Sequence, residues 1–265
     1  MQQHEIDGIV TTAHVLAEAA RGSVLPYFRA SDLSADNKLS NGFDPVTEAD
    51  RAAERAMRKV LADLRPEDAI IGEEFGVETG ASGLTWVLDP IDGTRGFLAG
   101  TPTWGVLISL CDASGPIFGM IDQPYVGERF WGGFGAAQMT GPMGNRPLRV
   151  RGNRVLGEAV LFTTFPEVGS PSERAGFEAV AQQVKLTRFG MDCYAYALLA
   201  AGHIDLVIEA GLSNYDICAP IGLIEAAGGI VTDWQGGKAH EGGRVLAAAG
   251  QEQHAAALEI LSRFS

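Results

Sequence analysis

Residues 86–94 form an apolar run that ends in acidic residues, and they read Trp86-Val87-Leu88-Asp89-Pro90-Ile91-Asp92-Gly93-Thr94. The apolar part predicts a buried strand that ends at Asp89, followed by a turn that Pro90 and Gly93 favour. Because α/β proteins bind ligands at the carboxyl ends of strands, the two carboxylates are candidate ligand-binding groups. They would repel each other unless a cation lies between them, whereas solvated carboxylates in an Asp-Gly turn need no cation. This run alone leaves both interpretations open.

Further acids follow sequence of the same kind elsewhere in the chain. Glu73 and Glu74 come at the end of the apolar run 69–72, and Asp216 stands at the start of a predicted helix. Carboxylate oxygens, together with a backbone carbonyl, are the ligands that Mg²⁺ and Mn²⁺ prefer. The sequence therefore favours a site for Mg²⁺, with Mn²⁺ as a substitute. The histidines show no HxxxH or His/Cys spacing, so they do not indicate a zinc site.

Two motifs near these acids each have a structural and a functional interpretation. Gly93 and Thr94 open a glycine-rich segment that could present backbone N–H groups to an anion at a helix N-terminus. A phosphate would then fit between the cation and these amides. Thr47 and Asp50 have the spacing of a capping box, which is the better interpretation of that pair from local sequence alone.

The spacing of apolar residues predicts the order of the helices and strands. Amphipathic helices are expected over 5–21, with Gly22 as the end of the first, and from Thr47 until before Pro66, with a loop over 30–42 between them. Short strands of a meander follow, over 69–71, 85–88, 106–110, 117–121 and 129–131. Strands and helices then alternate, with strands over 160–165, 186–189, 204–209, 230–233 and 245–248 and helices over 172–184, 193–201, 217–227 and 254–264. The order predicts an α/β protein with a first, α+β half over residues 1–150 and a second, α/β half over residues 151–265.

Composition limits the classes of function. With 20 basic and 33 acidic residues the formal net charge is −13, which disfavours binding to nucleic acid and favours cations. A hydrophobic fraction of 46% with 20% charged residues predicts a globular protein. No apolar run approaches the roughly 18 residues of a membrane span and no basic leader is present, so we expect a soluble cytoplasmic protein. The three cysteines form no CxxC pair, which argues against a disulfide framework.

Taken together, segments spread over nearly the whole chain resemble the inositol monophosphatase superfamily. They are Asp44-Pro45-Val46-Thr47-Glu48-Ala49-Asp50, Gly72-Glu73-Glu74, residues 86–94, and Asp216 followed by Glu225-Ala226-Ala227-Gly228-Gly229. The resemblance implies an αβαβα sandwich with the active site between the two halves, and Mg²⁺-dependent hydrolysis of a phosphate monoester. It implies metal ligands at Glu73, Asp89, the Ile91 carbonyl, Asp92 and Asp216. It also implies that Thr94, paired with Asp50, orients and deprotonates the attacking water. Glu74 is implied as a further catalytic acid, which contacts the metal ligands and does not bind the metal itself.

Within the superfamily, three segments are similar to the histidinol-phosphate phosphatase branch. They are Ile121-Asp122-Gln123-Pro124 with Glu128-Arg129, residues 191–200, and Val207-Ile208-Glu209-Ala210-Gly211-Leu212. Histidinol phosphate carries an ammonium and an imidazole, so Asp192 and Glu209 are the acids expected near its leaving group, although surface exposure would explain them equally well. The implied substrate-binding residues are Gly93, Thr94, Asp192, Glu209 and Asp216. Arg95 and Lys38 depart from the family pattern, and no role is assigned to them.

Other functions stay open. An inositol or other sugar-alcohol monophosphatase would use the same metals with a different pocket. A haloacid-dehalogenase-type phosphatase is disfavoured, because its paired aspartates stand two residues apart and not three. A regulatory binding protein of the same superfamily is disfavoured by the net charge of −13 and by the complete ligand set. The resemblance also implies a homodimer.

Overall fold

A computed structural model of the chain describes residues 1–31, 35–37 and 45–264. Lys38, Asp44 and part of the predicted loop 30–42 lie outside the described residues. The helices are α1 (Gln3–Val24), α2 (Glu48–Leu64), α3 (Thr94–Ala99), α4 (Pro171–Ala181), α5 (Cys193–Ala200), α6 (Asn214–Ala226) and α7 (Gln251–Leu261). The strands are β1 (Ala35–Asn37), β2 (Pro45–Thr47), β3 (Ala69–Gly72), β4 (Gly76–Glu78), β5 (Thr85–Asp92), β6 (Gly105–Asp112), β7 (Gly115–Gln123), β8 (Glu128–Gly133), β9 (Ala136–Gly141), β10 (Gly144–Pro147), β11 (Val160–Thr163), β12 (Leu186–Phe189), β13 (Leu206–Leu212), β14 (Ile230–Thr232) and β15 (Gly243–Ala248).

Two large sheets organise the described chain. The first has eight strands in the order β10-β9-β8-β7-β6-β5-β3-β4, and the meander from β5 to β10 is antiparallel throughout. Within it, β3 pairs in parallel with β5, so the carboxyl ends of these two strands lie side by side. The second sheet has five strands in the order β12-β11-β13-β15-β14. The sheets come from opposite sides of residue 150, where the sequence indicated a boundary.

Helices fill the spaces on both sides of each sheet. On β6, Val106 and Ile108 pack into a core with α1 and α2, while Leu107 between them packs into a core with α5 and α6. On β13, Val207 joins the core of α5 and α6, while Leu206 packs with α4 and α7. The period-2 alternation of each strand thus supplies two different cores. The resulting order of helices, sheet, helices, sheet and helices confirms the predicted layered α/β fold.

Differences from the predicted elements have local causes. α1 continues past Gly22 to Val24, because Val24 is buried on the same face as Leu16 and Ala20 and this packing outweighs the roughly 1 kcal/mol that a helical glycine costs. The sequence patterns missed β1, which lies within the predicted loop 30–42, and β9, in which buried Ala137 and Met139 alternate with small and polar residues and make only a weak apolar pattern. They also missed β4 and β10, which are the edge strands of the eight-stranded sheet and have only exposed residues. Strands without a buried face carry no apolar alternation, so this signal could not reveal them. No helix in the described part of the chain is long and apolar enough to cross a membrane.

Candidate active site

Four acidic side chains from three elements meet at one cavity of about 330 Å³. Glu73 follows β3, Asp89 and Asp92 belong to β5, and Asp216 lies in the first turn of α6. Carboxylate oxygens of Asp89, Asp92 and Asp216 lie within 4.8 Å of one another. Ile91 also lines the cavity, so the five residues implied as metal ligands are brought together. The other lining residues are Gly93, Thr94, Arg95, Thr164, Phe165, Asp192, Glu209, Ala210, Gly211 and Leu212.

An irregularity in β5 allows two of its acids to share this cavity. Residues three apart in a regular strand point to opposite faces of the sheet. The pairing of β5 with β6 shifts its register between Asp89 and Asp92, and such a shift interrupts the alternation of side chains. Both carboxylates therefore reach the same cavity. The sequence prediction ended the strand at Asp89, whereas β5 continues to Asp92.

Hydrogen bonds between its own residues stabilise the turn after β5. Asp89 Oδ1 accepts a hydrogen bond from the Ile91 N–H at 3.0 Å, and Thr94 Oγ1 donates to the Ile91 carbonyl oxygen at 3.0 Å. Gly93 has a φ of +83°, in the left-handed region that favours glycine. A Cβ at Gly93 would also lie 2.8 Å from the carboxyl carbon of Asp192. Both the backbone and the available space therefore require glycine before α3.

Two helix N-termini from the second half of the chain hold acids of the cluster. Asp92 Oδ2 accepts from the Cys193 N–H at 2.6 Å, at the start of α5. Asp216 Oδ2 accepts from the Ser213 N–H at 2.7 Å, in the capping box that begins α6. The first N–H groups of a helix have no partner within the helix and stabilise a nearby carboxylate. The acid cluster therefore depends on the packing of the two halves against each other.

The electrostatics of the cluster fit an oxygen-preferring divalent cation. Burial, followed by the negative charges of Glu73, Asp92 and Asp216, raises the pKa of Asp89 well above its usual range. Burial and the charges of Asp192 and Asp216 raise the pKa of Asp92, against the opposing hydrogen bond from Cys193. A cation between these oxygens would relieve the repulsion. The donor set, all carboxylate and carbonyl oxygens, matches Mg²⁺ or Mn²⁺ better than zinc.

The two acids predicted to bind substrate, Asp192 and Glu209, line the same cavity, and Asp192 lies close enough to Asp92 for its charge to raise the pKa of that acid. Glu209 is buried, and its Oε1 accepts from the Thr164 N–H at 2.7 Å and from Thr164 Oγ1 at 2.9 Å. Burial raises the pKa of Glu209 to about 7. Asp192 accepts a hydrogen bond from Thr103 Oγ1 at 3.3 Å, and burial raises its pKa while Thr103 and Arg95 oppose the shift. Neither is an exposed surface group, so simple surface exposure does not explain them.

The family of the chain follows from its whole length. The family model described as the inositol monophosphatase family matches residues 5–264. The chain belongs to the inositol monophosphatase family. Members of this family are metal-dependent phosphatases, which agrees with the acid cluster at the cavity.

Similar proteins include family members with different named substrates. The bifunctional phosphatase IMPL2, chloroplastic, of Arabidopsis thaliana is 40% identical over 88% of this chain, which spans 66% of that protein's length. A histidinol-phosphatase of Streptomyces coelicolor is 33% identical, over 90% of this chain and 91% of that protein. A solved structure of an inositol monophosphatase from Zymomonas mobilis has a TM-score of 0.85 at 37% identity, covering 99% of this chain and 100% of that one. These similarities support the fold and the phosphatase class together.

The pairing of Thr94 with Asp50 in acting on the attacking water, which the family resemblance implied, stays a prediction. In the described chain no hydrogen bond joins Thr94 to Asp50, because the Thr94 hydroxyl is donated to the Ile91 carbonyl. Asp50 is buried and accepts from the N–H and the hydroxyl of Thr47, which confirms the predicted capping box. Burial raises the pKa of Asp50 to about 6, and the nearby charges of Glu74 and Glu73 act in the same direction. Asp50 and Glu74 are not among the described residues that line the cavity.

Sequence reasoning missed other cavity residues of this family member. Thr164 holds Glu209, and the guanidinium carbon of Arg95 lies 5.0 Å from the centre of the Phe165 ring. Thr164 and Phe165 come directly after β11, at the end of the strand predicted over 160–165. The rule that drew attention to Asp89, that ligands bind at strand ends, could have found them.

Proposed function

We propose that this family member is a Mg²⁺-dependent histidinol-phosphate phosphatase, which hydrolyses L-histidinol phosphate to L-histidinol and phosphate. The observation that carries the proposal is the shared cavity, in which Asp192 and Glu209 line the same space as the metal-binding acids. The Streptomyces relative named as a histidinol-phosphatase supports the same assignment. The phosphatase class does not depend on this choice of substrate.

The cation would be held by the carboxylates of Glu73, Asp89, Asp92 and Asp216 and by the Ile91 carbonyl. When bound, Mg²⁺ neutralises charge on the phosphate oxygens and lowers the pKa of bound water. The chain itself has to place the ester against these groups. Arrangement of the acids before substrate arrives lowers the barrier because little reorganisation is left for the reaction.

Thr94 is the residue proposed to orient the attacking water. Its hydroxyl hydrogen is donated to the Ile91 carbonyl, so the lone pairs of Oγ1 are available to accept a hydrogen bond from a water in the cavity. Thr94 and Gly93 line the cavity and are also the proposed contacts of the phosphate. Asp50 acts at a greater distance, through Thr47 and the start of α2.

Asp192 and Glu209 can bind the cationic leaving group of this substrate. Glu209 uses Oε1 for both bonds to Thr164, which leaves Oε2 able to accept from an ammonium or imidazolium N–H. A bound cation lowers the pKa of a nearby carboxyl, so a positively charged ligand would keep Glu209 ionised. Asp192 can act in the same way from α5. A substrate with a cationic leaving group is therefore preferred over a neutral one.

An inositol-1-monophosphatase is the second candidate. The structural similarity to the Zymomonas inositol monophosphatase favours it, and carboxylates such as Glu209 can also accept hydrogen bonds from sugar hydroxyls. Measurement of kcat/KM for histidinol phosphate, inositol 1-phosphate and glycerol 2-phosphate at saturating Mg²⁺ separates the two. A higher kcat/KM for inositol 1-phosphate would reject the histidinol-phosphatase assignment and leave the metal-dependent phosphatase in place.

The partners follow from the same proposal. The substrate is a small phosphate monoester, and the net charge of −13 disfavours nucleic acid as a ligand. Assembly as a homodimer stays a prediction from the resemblance. Sedimentation velocity at micromolar concentration would test it.

A further inference from the structure

Glu54 of α2 is a fully buried acid that lies beside the metal-binding acids. Its exposed fraction is 0%, although glutamate is rarely buried without a partner. It shares one face of α2 with Asp50, Met57 and Leu61, which are also buried. Arg58 one turn later provides the counter-charge, with Nε 2.8 Å from Glu54 Oε1. The positive charge of Arg58 therefore compensates the negative charge of the buried Glu54 carboxylate.

Both oxygens of this carboxylate bind the turn between β3 and β4. Glu54 Oε2 accepts from the Glu74 N–H at 2.7 Å, and Oε1 accepts from the Phe75 N–H at 3.2 Å. Arg58 extends the contact, because its Nη2 donates to the Gly76 carbonyl oxygen at 2.5 Å. Hydrogen bonds to charged groups are about twice as strong as neutral ones. The turn is thus tied to α2 at three consecutive residues.

The residue before the candidate metal ligand Glu73 also contacts Glu54. A Cβ at Gly72 would lie 2.0 Å from Glu54 Oε1, so glycine is required there by the carboxylate. On the other side the Glu73 N–H donates to the Leu88 carbonyl oxygen of β5 at 3.2 Å. Glu73 is therefore held between β5 and α2. Its neighbours on both sides in sequence touch Glu54.

We propose that Glu54, with Arg58, is a positioning residue that holds Glu73 in the geometry for divalent-cation binding. Glu73 lies close enough to Asp89 that its charge and a hydrogen bond between the two carboxyls raise the pKa of Asp89, so the position of the turn that carries Glu73 sets the spacing of these two candidate ligands. Within residues 1–31, 35–37 and 45–264, Glu54 accepts hydrogen bonds from the turn and from Arg58. The inference rests on the metal-binding part of the proposed function and is independent of which monoester is the substrate.

The test compares Glu54→Gln with a matched change at the opposite end of β3. The amide in Glu54→Gln puts N–H groups where an oxygen accepts from the turn, so one bond is lost. The control is Asp68→Asn, because Asp68 is also a buried, arginine-paired carboxylate, bound by Arg65 Nε at 2.6 Å and by Trp86 Nε1 at 2.9 Å. Mg²⁺ binding is measured by calorimetry on the folded variants, and melting temperatures are recorded with and without Mg²⁺.

We expect Glu54→Gln to raise the Mg²⁺ dissociation constant by about 10- to 100-fold, as for other residues that orient metal ligands. Asp68→Asn should lower the melting temperature in EDTA but leave Mg²⁺ affinity within about twofold of wild type. If Glu54→Gln does not fold, Arg58→Lys is used, which keeps the charge but loses the bond to Gly76 and should raise the constant by a smaller factor.

Two results separate this inference from the proposed function. Wild-type Mg²⁺ affinity in a folded Glu54→Gln variant, or in Arg58→Lys when that variant is the one that folds, overturns the positioning role alone. If the wild-type chain binds neither Mg²⁺ nor Mn²⁺, the metal-dependent function fails, and the positioning role fails with it.

Discussion

Replacement of Glu209 by glutamine tests how the cavity chooses its substrate. In Glu209→Gln the side chain keeps its shape, and its amide oxygen can still accept from the N–H and the hydroxyl of Thr164. The change falls on Oε2, where an acceptor with negative charge becomes an NH₂ donor. A cationic leaving group then loses a charge-assisted hydrogen bond and meets a donor in its place. The fold should be retained, because the contacts with Thr164 stay.

The expected loss follows from this single bond. A hydrogen bond to a charged group contributes about 1.5–3 kcal/mol, which corresponds to a loss of roughly 10- to 150-fold in kcat/KM for histidinol phosphate. Glycerol 2-phosphate, which has no cationic group, should lose less than about threefold, because it has no charge-assisted hydrogen bond to Glu209 that the substitution could remove. Glu178→Gln, the same change at an exposed position of α4, should alter neither value.

The ratio of kcat/KM for the two substrates is the decisive quantity, because both depend on the same metal and the same water. Since burial raises the pKa of Glu209 to about 7, ionised Glu209 becomes more abundant as pH rises from 6 to 8. The wild-type ratio should therefore increase over this range, and the Glu209→Gln ratio should not. Equal losses on both substrates would refute the role of Glu209 in recognition, as would a ratio that the substitution leaves unchanged.

Three further outcomes are expected. Asp89→Asn should lower kcat by several orders of magnitude with little change in the melting temperature measured in EDTA, because a charge needed for the cation is lost; near-normal turnover would contradict the metal assignment. Thr94→Ala should lower kcat roughly 100-fold with a modest change in KM in steady-state assays, because a hydroxyl that orients water acts on the transition state; an effect on KM alone would oppose that role. In EDTA the melting temperature should fall as pH rises from about 5 to 8. The pKa values of Asp50 and Glu209 are raised in the folded chain, so the folded chain binds more protons than the unfolded chain and loses stability as these groups ionise. Saturating Mg²⁺ should reduce this fall, and a melting temperature that rises with pH in EDTA would show that other groups dominate.

Features that depend on neighbouring residues were accessible to sequence reasoning. Thr47 was predicted to cap α2, and the structure has the reciprocal bonds with Asp50. The strand over 85–88 was predicted from a run of apolar residues and is part of β5. Caps and buried strands leave short-range patterns because the interactions that form them join residues a few positions apart. The same short-range chemistry indicated Asp89 and Asp92 as ligand candidates.

Positions set by long-range packing were less accessible. The hydrogen bond from the Thr94 hydroxyl to the Ile91 carbonyl was not predicted, because it depends on how α3 packs against β5. Glu54 was not among the candidate residues, because nothing near it in sequence shows that the turn after β3 contacts its carboxylate. A buried charge becomes visible only when its partners from another element are in place.

The amino-acid sequence by itself determined most of the helices and strands, the family and the set of candidate metal ligands. The helices and strands follow from hydrophobic periodicity and from caps and turns, the carboxylates match the oxygen chemistry that divalent cations require, and the family and the complete ligand set follow from the resemblance of the motifs. Only the tertiary structure decided that Asp89 and Asp92 face one cavity, through the register shift in β5. It also decided that Asp192 and Glu209 line the same cavity as these two acids. The distances between these acids depend on how the layers of helices and sheets pack together. That packing brings together residues more than a hundred positions apart, as the hydrogen bond between Asp92 and Cys193 shows.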